Sequence, residues 1–224
     1  MVYSAYPQDW VRPRGGVVAR SMLWMAVGLV VTLAVAAAIT ATLRTWLPFY
    51  TGWGPLVLAA GEVALVWYLS SRLRRGTIAP AEGRALFLLY AASFGVLIVP
   101  ALVAAPGAVA PALLLSAGTF TAAGLWGAVT RTDMRPLGTF LFMALVGLLL
   151  AMVINALLVH GAMTFWVSLA GVLLFSGLTA YDVQRIRRMA WAGEGASILG
   201  ALALYLDFAN LFLFWLMLRG GRRR

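Results

Sequence analysis

The chain has 224 residues, of which 63% are apolar, and its mean hydropathy is +0.93. Soluble domains average about 45–50% apolar residues, so this composition indicates an integral membrane protein and excludes a separate soluble domain. The formal net charge of +10 lies in loops between apolar segments, which favours contact with anionic lipid over binding of nucleic acid. The sequence has no cysteine and one histidine, His160, which excludes thiol chemistry and a zinc site built from several histidines.

The first apolar run, at 21–43, follows an N-terminal segment, 1–20, that carries three arginines. The run is too long for the apolar part of a signal peptide and predicts a retained helix. Further along, 85–130 and 136–181 each run 46 residues without a formal charge. Since one membrane helix needs about 20 residues, each stretch predicts two spans. The first break is expected in the proline-rich segment 100–111 and the second in LVHGAM, around residue 160.

These boundaries predict an all-α membrane protein with seven transmembrane helices, whose short connections make neighbouring helices antiparallel. The helical domain extends over 21–218, between the N-terminal segment and a basic tail at 219–224. The predicted spans are 21–43, 54–71, 85–104, 109–130, 137–158, 163–184 and 196–218.

The distribution of arginine predicts the orientation of the chain. With the N-terminus in the cytoplasm, 12 of the 17 basic residues fall in inner segments and five in outer segments. Four of those five form the tail, which an odd number of spans sends outside. Either the tail is tolerated there, or the last span does not fully cross; we predict seven crossings and a cytoplasmic N-terminus.

Three of the seven acidic residues, Glu62, Asp182 and Asp207, lie where they can reach the bilayer interior. A charged carboxylate at the membrane centre costs about 2.5–3.5 kcal/mol on insertion scales. Such residues therefore face protein or water. They serve either a function or a buried structural hydrogen bond, and both interpretations stay open at this point.

The two aspartates lie on consecutive antiparallel spans joined by a short basic loop. At 1.5 Å per residue, Asp207 is about 16 Å into the last span, and Asp182 is about 9 Å from its helix end if that helix continues to Arg188. Helix offset or tilt would let the carboxylates meet.

Within about 4 Å both carboxylates cannot easily be charged, because their repulsion would be about 4 kcal/mol at an effective dielectric near 20. A pair that shares one proton joins the helices and separates them when the proton leaves, which predicts a pH sensor; the deprotonated pair also suits Ca²⁺.

Other polar residues could join this pair. Asn210 lies three residues after the second aspartate, on the same helix face. Tyr181 and Tyr205 could donate hydrogen bonds. Arg72 and Arg74, at the inner end of the second span, could reach an acid by snorkelling inward, or could only anchor that helix end.

The segments FSGLTAYDVQRIRR and GALALYLDFANLFLFWLMLRG together resemble the signature of the transmembrane Bax-inhibitor-motif family, including its bacterial members. GEVALV, at 61–66, resembles the acid-containing second span of that family. The resemblance is strong over about 171–220 and weaker at the second span. Elsewhere it is a match of span count and length.

The resemblance implies a seven-helix fold in which the last helix is central and surrounded by the other six. It also implies a Ca²⁺ leak governed by pH, with Asp182 and Asp207 as the proton sensor and Glu62 as a pore-lining group. The resemblance also implies an arginine at the end of the second span that can pair with the aspartates and act as a latch. Arg72 is preferred over Arg74 for this role. We therefore expect a protein of a bacterial cytoplasmic membrane that is not an enzyme, takes H⁺ and Ca²⁺ as ligands and has no resident cofactor. Asn210 is expected to line or gate the same path.

Two other functions stay open. Intramembrane aspartyl proteases also place a tyrosine–aspartate word in one helix and an aspartate in the next, and a proton-sharing pair can activate water. The first word matches Tyr181 and Asp182. However, LYLD replaces that family's glycine-x-glycine-aspartate word, and no proline-alanine-leucine word follows it. The other alternative is a non-conducting partner that modulates a membrane protease.

Overall fold

The computed structural model describes residues 16–158, 163–189 and 193–220. Within those residues all regular elements are helices, and seven of the eight are long and apolar enough to cross a membrane, which confirms the predicted all-α, seven-span fold. The predicted break at His160 and most of the N-terminal segment and basic tail lie outside the described residues. The helices are α1 (Val17–Ala41), α2 (Leu43–Thr51), α3 (Gly54–Arg75), α4 (Pro80–Ala104), α5 (Pro106–Val129), α6 (Leu137–Leu157), α7 (Thr164–Arg188) and α8 (Gly193–Gly220).

Several helix ends follow from proline and glycine. Pro80 and Pro106 occupy the start of α4 and α5, where proline's missing N–H leaves no bond unmade. Gly76 ends α3 at φ 63°, in the left-handed region that glycine adopts without strain. The break predicted within 100–111 falls at Ala105, between α4 and α5. Pro100 and Pro111 lie inside those two helices.

The short helix α2 is an element that the hydropathy pattern does not predict. The apolar run at 21–43 predicts one helix, but α1 ends at Ala41 and the chain turns at Thr42. In α2 the side chains of Trp46 and Tyr50 pack on the protein, and the Tyr50 hydroxyl donates to the Val96 carbonyl at 2.7 Å. A short amphipathic helix between two spans is typical of a segment that lies in the membrane interface.

The chain order divides the bundle into two ends. We call the basic end the one where α1 and α8 begin and where α3 joins α4 and α5 joins α6. The other end is called the opposite end. A Cβ built on Gly220 would lie 3.3 Å from the Cβ of Ala105, at the α4–α5 junction. The last span therefore crosses the whole bundle, as seven crossings require.

The last helix is the most buried span. In its most apolar window 56% of the residues are buried, against 11% in α3 and in α6. It packs against α1, α3, α4, α5 and α7, whereas α6 packs against α7. These contacts place α8 among five other helices; the arrangement in which all six other spans surround it stays a prediction.

A second cluster of buried apolar side chains lies at the opposite end of the bundle, formed by α1, α4, α5 and α8. Trp46 and Tyr50 of α2 pack against this cluster. We call its buried members the apolar seal: Ala36, Ile39, Ile98, Val99, Ala108, Ala112, Phe212 and Leu216.

Candidate functional site

The structure brings the two predicted aspartates together between α7 and α8. Asp207, in the middle of α8, is 3% exposed, and its charged neighbour is the carboxylate of Asp182. The side chain of Asp182 is 13% exposed. Whereas the predicted span ends at 184, α7 continues to Arg188, and this meets the condition under which Asp182 lies well inside the helix end. Two acids from consecutive helices therefore meet in a poorly hydrated place.

The hydroxyl of Thr179 lies beside Asp207 and donates to the Phe175 carbonyl of its own helix at 2.7 Å. The Oδ2 oxygen of Asp207 is buried and finds no partner among the described residues, which is unfavourable for a charged carboxylate.

The cation that pairs with Asp182 is on its own helix. Arg185 Nη1 lies 3.5 Å from Asp182 Oδ1. Because Arg185 is more than a third exposed, this pair contributes little to stability. The expected latch, Arg72, makes no ion pair with the aspartates in the part of the chain that the structure describes. Its guanidinium lies 5.7 Å from the ring centre of Tyr68, and its buried Nε has no hydrogen-bond partner there.

Glu62 belongs to a second polar cluster. Its side chain is 9% exposed and lies beside Ser93 of α4 and Tyr205 of α8, and its buried Oε1 finds no hydrogen-bond partner among the described residues. The Tyr205 hydroxyl is 2.5 Å from Thr32 Oγ1. Thr32 in turn lies 2.9 Å from the carbonyl of Ala91. Because that carbonyl only accepts, the pattern fits a Tyr205 hydroxyl that donates to Thr32.

The two clusters lie on different sides of α8. Tyr205 and Asp207 are two residues apart, and each helical residue turns by about 100°, so their side chains leave the helix in nearly opposite directions. Tyr205 faces α1 and α4, whereas Asp207 faces α7. Glu62 and the aspartate pair are therefore separate sites around one helix.

Two other predicted residues have partners elsewhere. The amide of Asn210 donates to the Leu206 carbonyl of its own helix at 2.8 Å. Tyr181 points to the start of α6, where a Cβ built on Gly138 would be 2.6 Å from its hydroxyl. The role of Asn210 in a path stays a prediction.

The sequence analysis did not identify Thr179 and Gln184 as site residues. Both are buried: Thr179 lies four residues before the buried Val183, and Gln184 lies four residues after the buried Ala180, as a helical period of three to four residues would indicate. Thr179 could have been found as the polar residue three positions before Asp182. The role of Gln184 depends on a loop remote in sequence, so no local pattern reveals it.

The acids offer limited ligands for a resident metal. Within residues 16–158, 163–189 and 193–220, no three or more acidic or histidine side chains gather at metal-binding spacing. Ca²⁺ takes six to eight oxygen ligands. The pair supplies two carboxylates, so any Ca²⁺ at Asp182 and Asp207 would keep most of its ligands from water and neighbouring hydroxyls.

These features define a class of protein: a seven-span helical membrane protein whose penultimate and last spans hold a buried aspartate pair. The family model described as "Inhibitor of apoptosis-promoting Bax1" matches residues 14–224. The chain belongs to that family, as the C-terminal words predicted.

Three curated relatives from different bacteria match over most of their length. An uncharacterized protein of Deinococcus radiodurans is 40% identical over 220 residues, which cover 91% of this chain and 90% of that protein. The inner membrane protein YbhL of Escherichia coli K12 is 37% identical over 231 residues, which cover 95% and 96%. The uncharacterized protein RP147 of Rickettsia prowazekii is 33% identical over 209 residues, which cover 89% and 87%.

Proposed function

We propose that this protein is a pH-sensitive Ca²⁺ leak channel gated by the proton that Asp182 and Asp207 share. The observation that carries the proposal is the burial of Asp207 in mid-span, with a second carboxylate as its charged neighbour. A buried acid pair without a bound cation is costly unless it holds a proton or serves a change of state.

The protonated pair favours the closed state. With one proton on the pair, Asp207 and Asp182 do not repel each other, so α7 and α8 stay together. When the proton leaves, two carboxylates about 4 Å apart would repel by about 4 kcal/mol at an effective dielectric near 20. The basic ends of the helices then separate. Arg72 would stabilise the open state by capturing Asp182 in competition with Arg185.

Glu62 is proposed to line the ion path. Because Glu62 and the aspartate pair lie on different sides of α8, an ion that meets both must pass around that helix. Opening therefore requires α8 to shift against both α3 and α7. Asn210, almost one helix turn further along than Asp207, would line the same path.

The proposed location is a bacterial cytoplasmic membrane, with the N-terminus and the basic end in the cytoplasm. The arginine-rich loops at the basic end support this orientation. The name of the E. coli relative, an inner membrane protein, supports the location. We propose H⁺ and Ca²⁺ as the ligands, without enzymatic activity and without a resident cofactor.

Ca²⁺ entry into liposomes containing the purified protein, measured against pH, tests the proposal. Entry is expected to rise with pH in the native protein and to lose its pH dependence in the double variant Asp182→Asn, Asp207→Asn. Glu82→Gln changes an exposed acid at the same end of the bundle and should behave as the native protein. A flat profile for the native protein would overturn the gating mechanism.

A non-conducting role as partner of a membrane protease has one structural observation in its favour. The peripheral helix α6 leaves an apolar cavity of about 370 Å³ against α7, lined by Ala144, Gly147, Ala151, Trp166, Ala170 and other apolar residues. A partner helix could pack there. Unchanged Ca²⁺ entry together with altered turnover of another membrane protein in a Gly147→Leu variant would favour this role. Cleavage of a membrane peptide that depends on both aspartates would instead indicate a protease.

A further inference from the structure

The buried amide of Gln184 joins α7 to the α5–α6 connection at the basic end. Its side chain is 8% exposed, and Nε2 donates to the Thr132 carbonyl at 2.8 Å. Its Oε1 accepts from the Met134 N–H at 3.0 Å and from Arg188 Nη1 at 2.5 Å. One side chain thus satisfies donor and acceptor groups of a loop that is 50 residues away in sequence.

Other contacts strengthen the same junction. Arg188 lies 3.6 Å from Asp133 of the loop, and Arg187 donates to the Ala128 carbonyl in the last turn of α5. Further into the bundle, a Cβ built on Gly127 would lie 2.7 Å from Ala180 Cα, so α5 and α7 touch backbone to backbone. The basic ends of α5 and α7 and the start of α6 form one packed body, which we call the α7 unit.

A second body lies on the other side of α8. Ser21 of α1 donates to the Ser197 carbonyl of α8 at 3.0 Å. Arg84 of α4 pairs with Glu194 of α8 at 2.6 Å, and its guanidinium lies 5.6 Å from the ring centre of Trp24 of α1. We call the basic ends of α1, α4 and α8 the α8 unit.

The two units meet in a different kind of contact at each end. At the basic end the contact is apolar, with Ile186 Cγ1 3.0 Å from a Cβ built on Gly200, and the acid pair lies on the same seam. Towards the opposite end, Trp215 Nε1 donates to Thr119 Oγ1 at 3.2 Å. The seam at the basic end is therefore free of hydrogen bonds between Ile186 and Gly200, and any parting there is limited by the four residues that connect α7 to α8.

We propose that Gln184 is a positioning residue that makes the basic ends of α5, α6 and α7 move as one unit against the α8 unit. Repulsion between the aspartates then opens the whole seam, because α7 cannot leave without the α5–α6 connection. The direction of this movement rests on the proposed function, but the existence of the α7 unit does not. The charged groups on or against this end of α7 are Asp133, Asp182, Arg185, Arg187, Arg188 and Asp207.

Pairs of spin labels test the proposal, since the native chain has no cysteine to interfere. Cysteines at Glu82, Arg131 and Met189, taken two at a time, report three distances at the basic end. When the pH is raised, both distances from Glu82 are expected to change together, while the Arg131–Met189 distance stays constant. In Gln184→Met, the Arg131–Met189 distribution is expected to broaden, and the Glu82–Arg131 distance should no longer follow Glu82–Met189.

Two further variants separate positioning from general damage. Gln184→Glu keeps the acceptor for Met134 and Arg188 but loses the donor to the Thr132 carbonyl, so its Arg131–Met189 distribution should lie between those of the native protein and Gln184→Met. If Gln184→Met fails to fold, a distribution for Gln184→Glu as narrow as the native one would overturn the proposal. Asn155 offers a matched control at the opposite end of the bundle. Its amide oxygen accepts from the Met163 N–H at 3.0 Å, and its amide nitrogen donates to Thr164 Oγ1 at 3.1 Å. Asn155→Leu should leave all three distances native.

The results distinguish this proposal from the channel proposal. A native Arg131–Met189 distance that changes with pH, or a folded Gln184→Met variant with three native distances, would overturn the α7 unit. If the Glu82–Arg131 and Glu82–Met189 distances do not change with pH, that result would instead count against aspartate gating. In that case the width of the Arg131–Met189 distribution in the Gln184 variants, measured at one pH, still decides whether the unit exists.

Discussion

Tyr205 and Asp207, two residues apart on α8, bind that helix to different partners. The Tyr205 hydroxyl is 2.5 Å from Thr32 of α1, whereas Asp207 meets Asp182 of α7. A short segment of α8 therefore carries a neutral hydrogen bond on one side and a pair of acids on the other. Movement of α7 away from this segment need not disturb the contact with α1.

Replacement of Tyr205 by phenylalanine should weaken the α1–α8 contact. Thr32 keeps two carbonyl acceptors, so the loss is that of one neutral hydrogen bond, about 1 kcal/mol of unfolding free energy. Unfolding in detergent, followed by circular dichroism, measures this change. Tyr50→Phe is the control. It removes a half-buried hydroxyl from the Val96 carbonyl of α4 and should lower the unfolding free energy by less. An equal or larger loss in Tyr50→Phe would contradict the importance assigned to the Tyr205–Thr32 hydrogen bond.

Gly127→Ala should be destabilising because α5 and α7 touch at that point. The new methyl group would meet the backbone of Ala180, which cannot yield without moving a helix, so a loss of about 1–3 kcal/mol is expected. Gly118, on the same helix, has open space where a Cβ would lie. Gly118→Ala should therefore be neutral or slightly stabilising. Similar unfolding free energies for the two variants would refute the close contact.

The aspartate pair should make stability fall as the pH rises. In the proposed mechanism the folded protein holds a proton that exposed carboxyls release on unfolding, so the native state binds more protons than the unfolded state. The melting temperature in detergent should decrease between about pH 5 and about pH 8, and Asp207→Asn should remove that decrease. Glu82→Gln should follow the native curve. A native melting temperature that rises over this range would show that the pair is stabilised as anions.

The apolar seal should limit Ca²⁺ entry independently of the aspartates. A dry constriction resists ions because they cannot keep their water there. Phe212→Ala is expected to raise entry at every pH and to leave the shape of the pH profile unchanged, at a stability loss of about 3 kcal/mol. Phe142, 64% exposed on α6, provides the matched control, Phe142→Ala. Unchanged entry in Phe212→Ala would show that the seal is not a barrier.

The spans and the acid pair could be predicted from the sequence for physical reasons. A bilayer requires about 20 apolar residues per helix, and its lack of water forces every backbone group into internal hydrogen bonds. An aspartate in each of two consecutive spans is too costly to face lipid. The short helix α2 could not be predicted in this way, because its nine residues of mixed polarity are too few to form a long apolar run.

By itself the sequence determined the number of spans, their order and the two helices that carry Asp182 and Asp207. Only the tertiary structure decided that Arg185 rather than Arg72 pairs with Asp182, that Glu62 lies on the other side of α8, and that Gln184 holds a remote loop. Span length and hydropathy set how deep a residue lies along a helix. Rotation of each helix about its axis, which decides which side chains meet, depends on packing between helices distant in the chain.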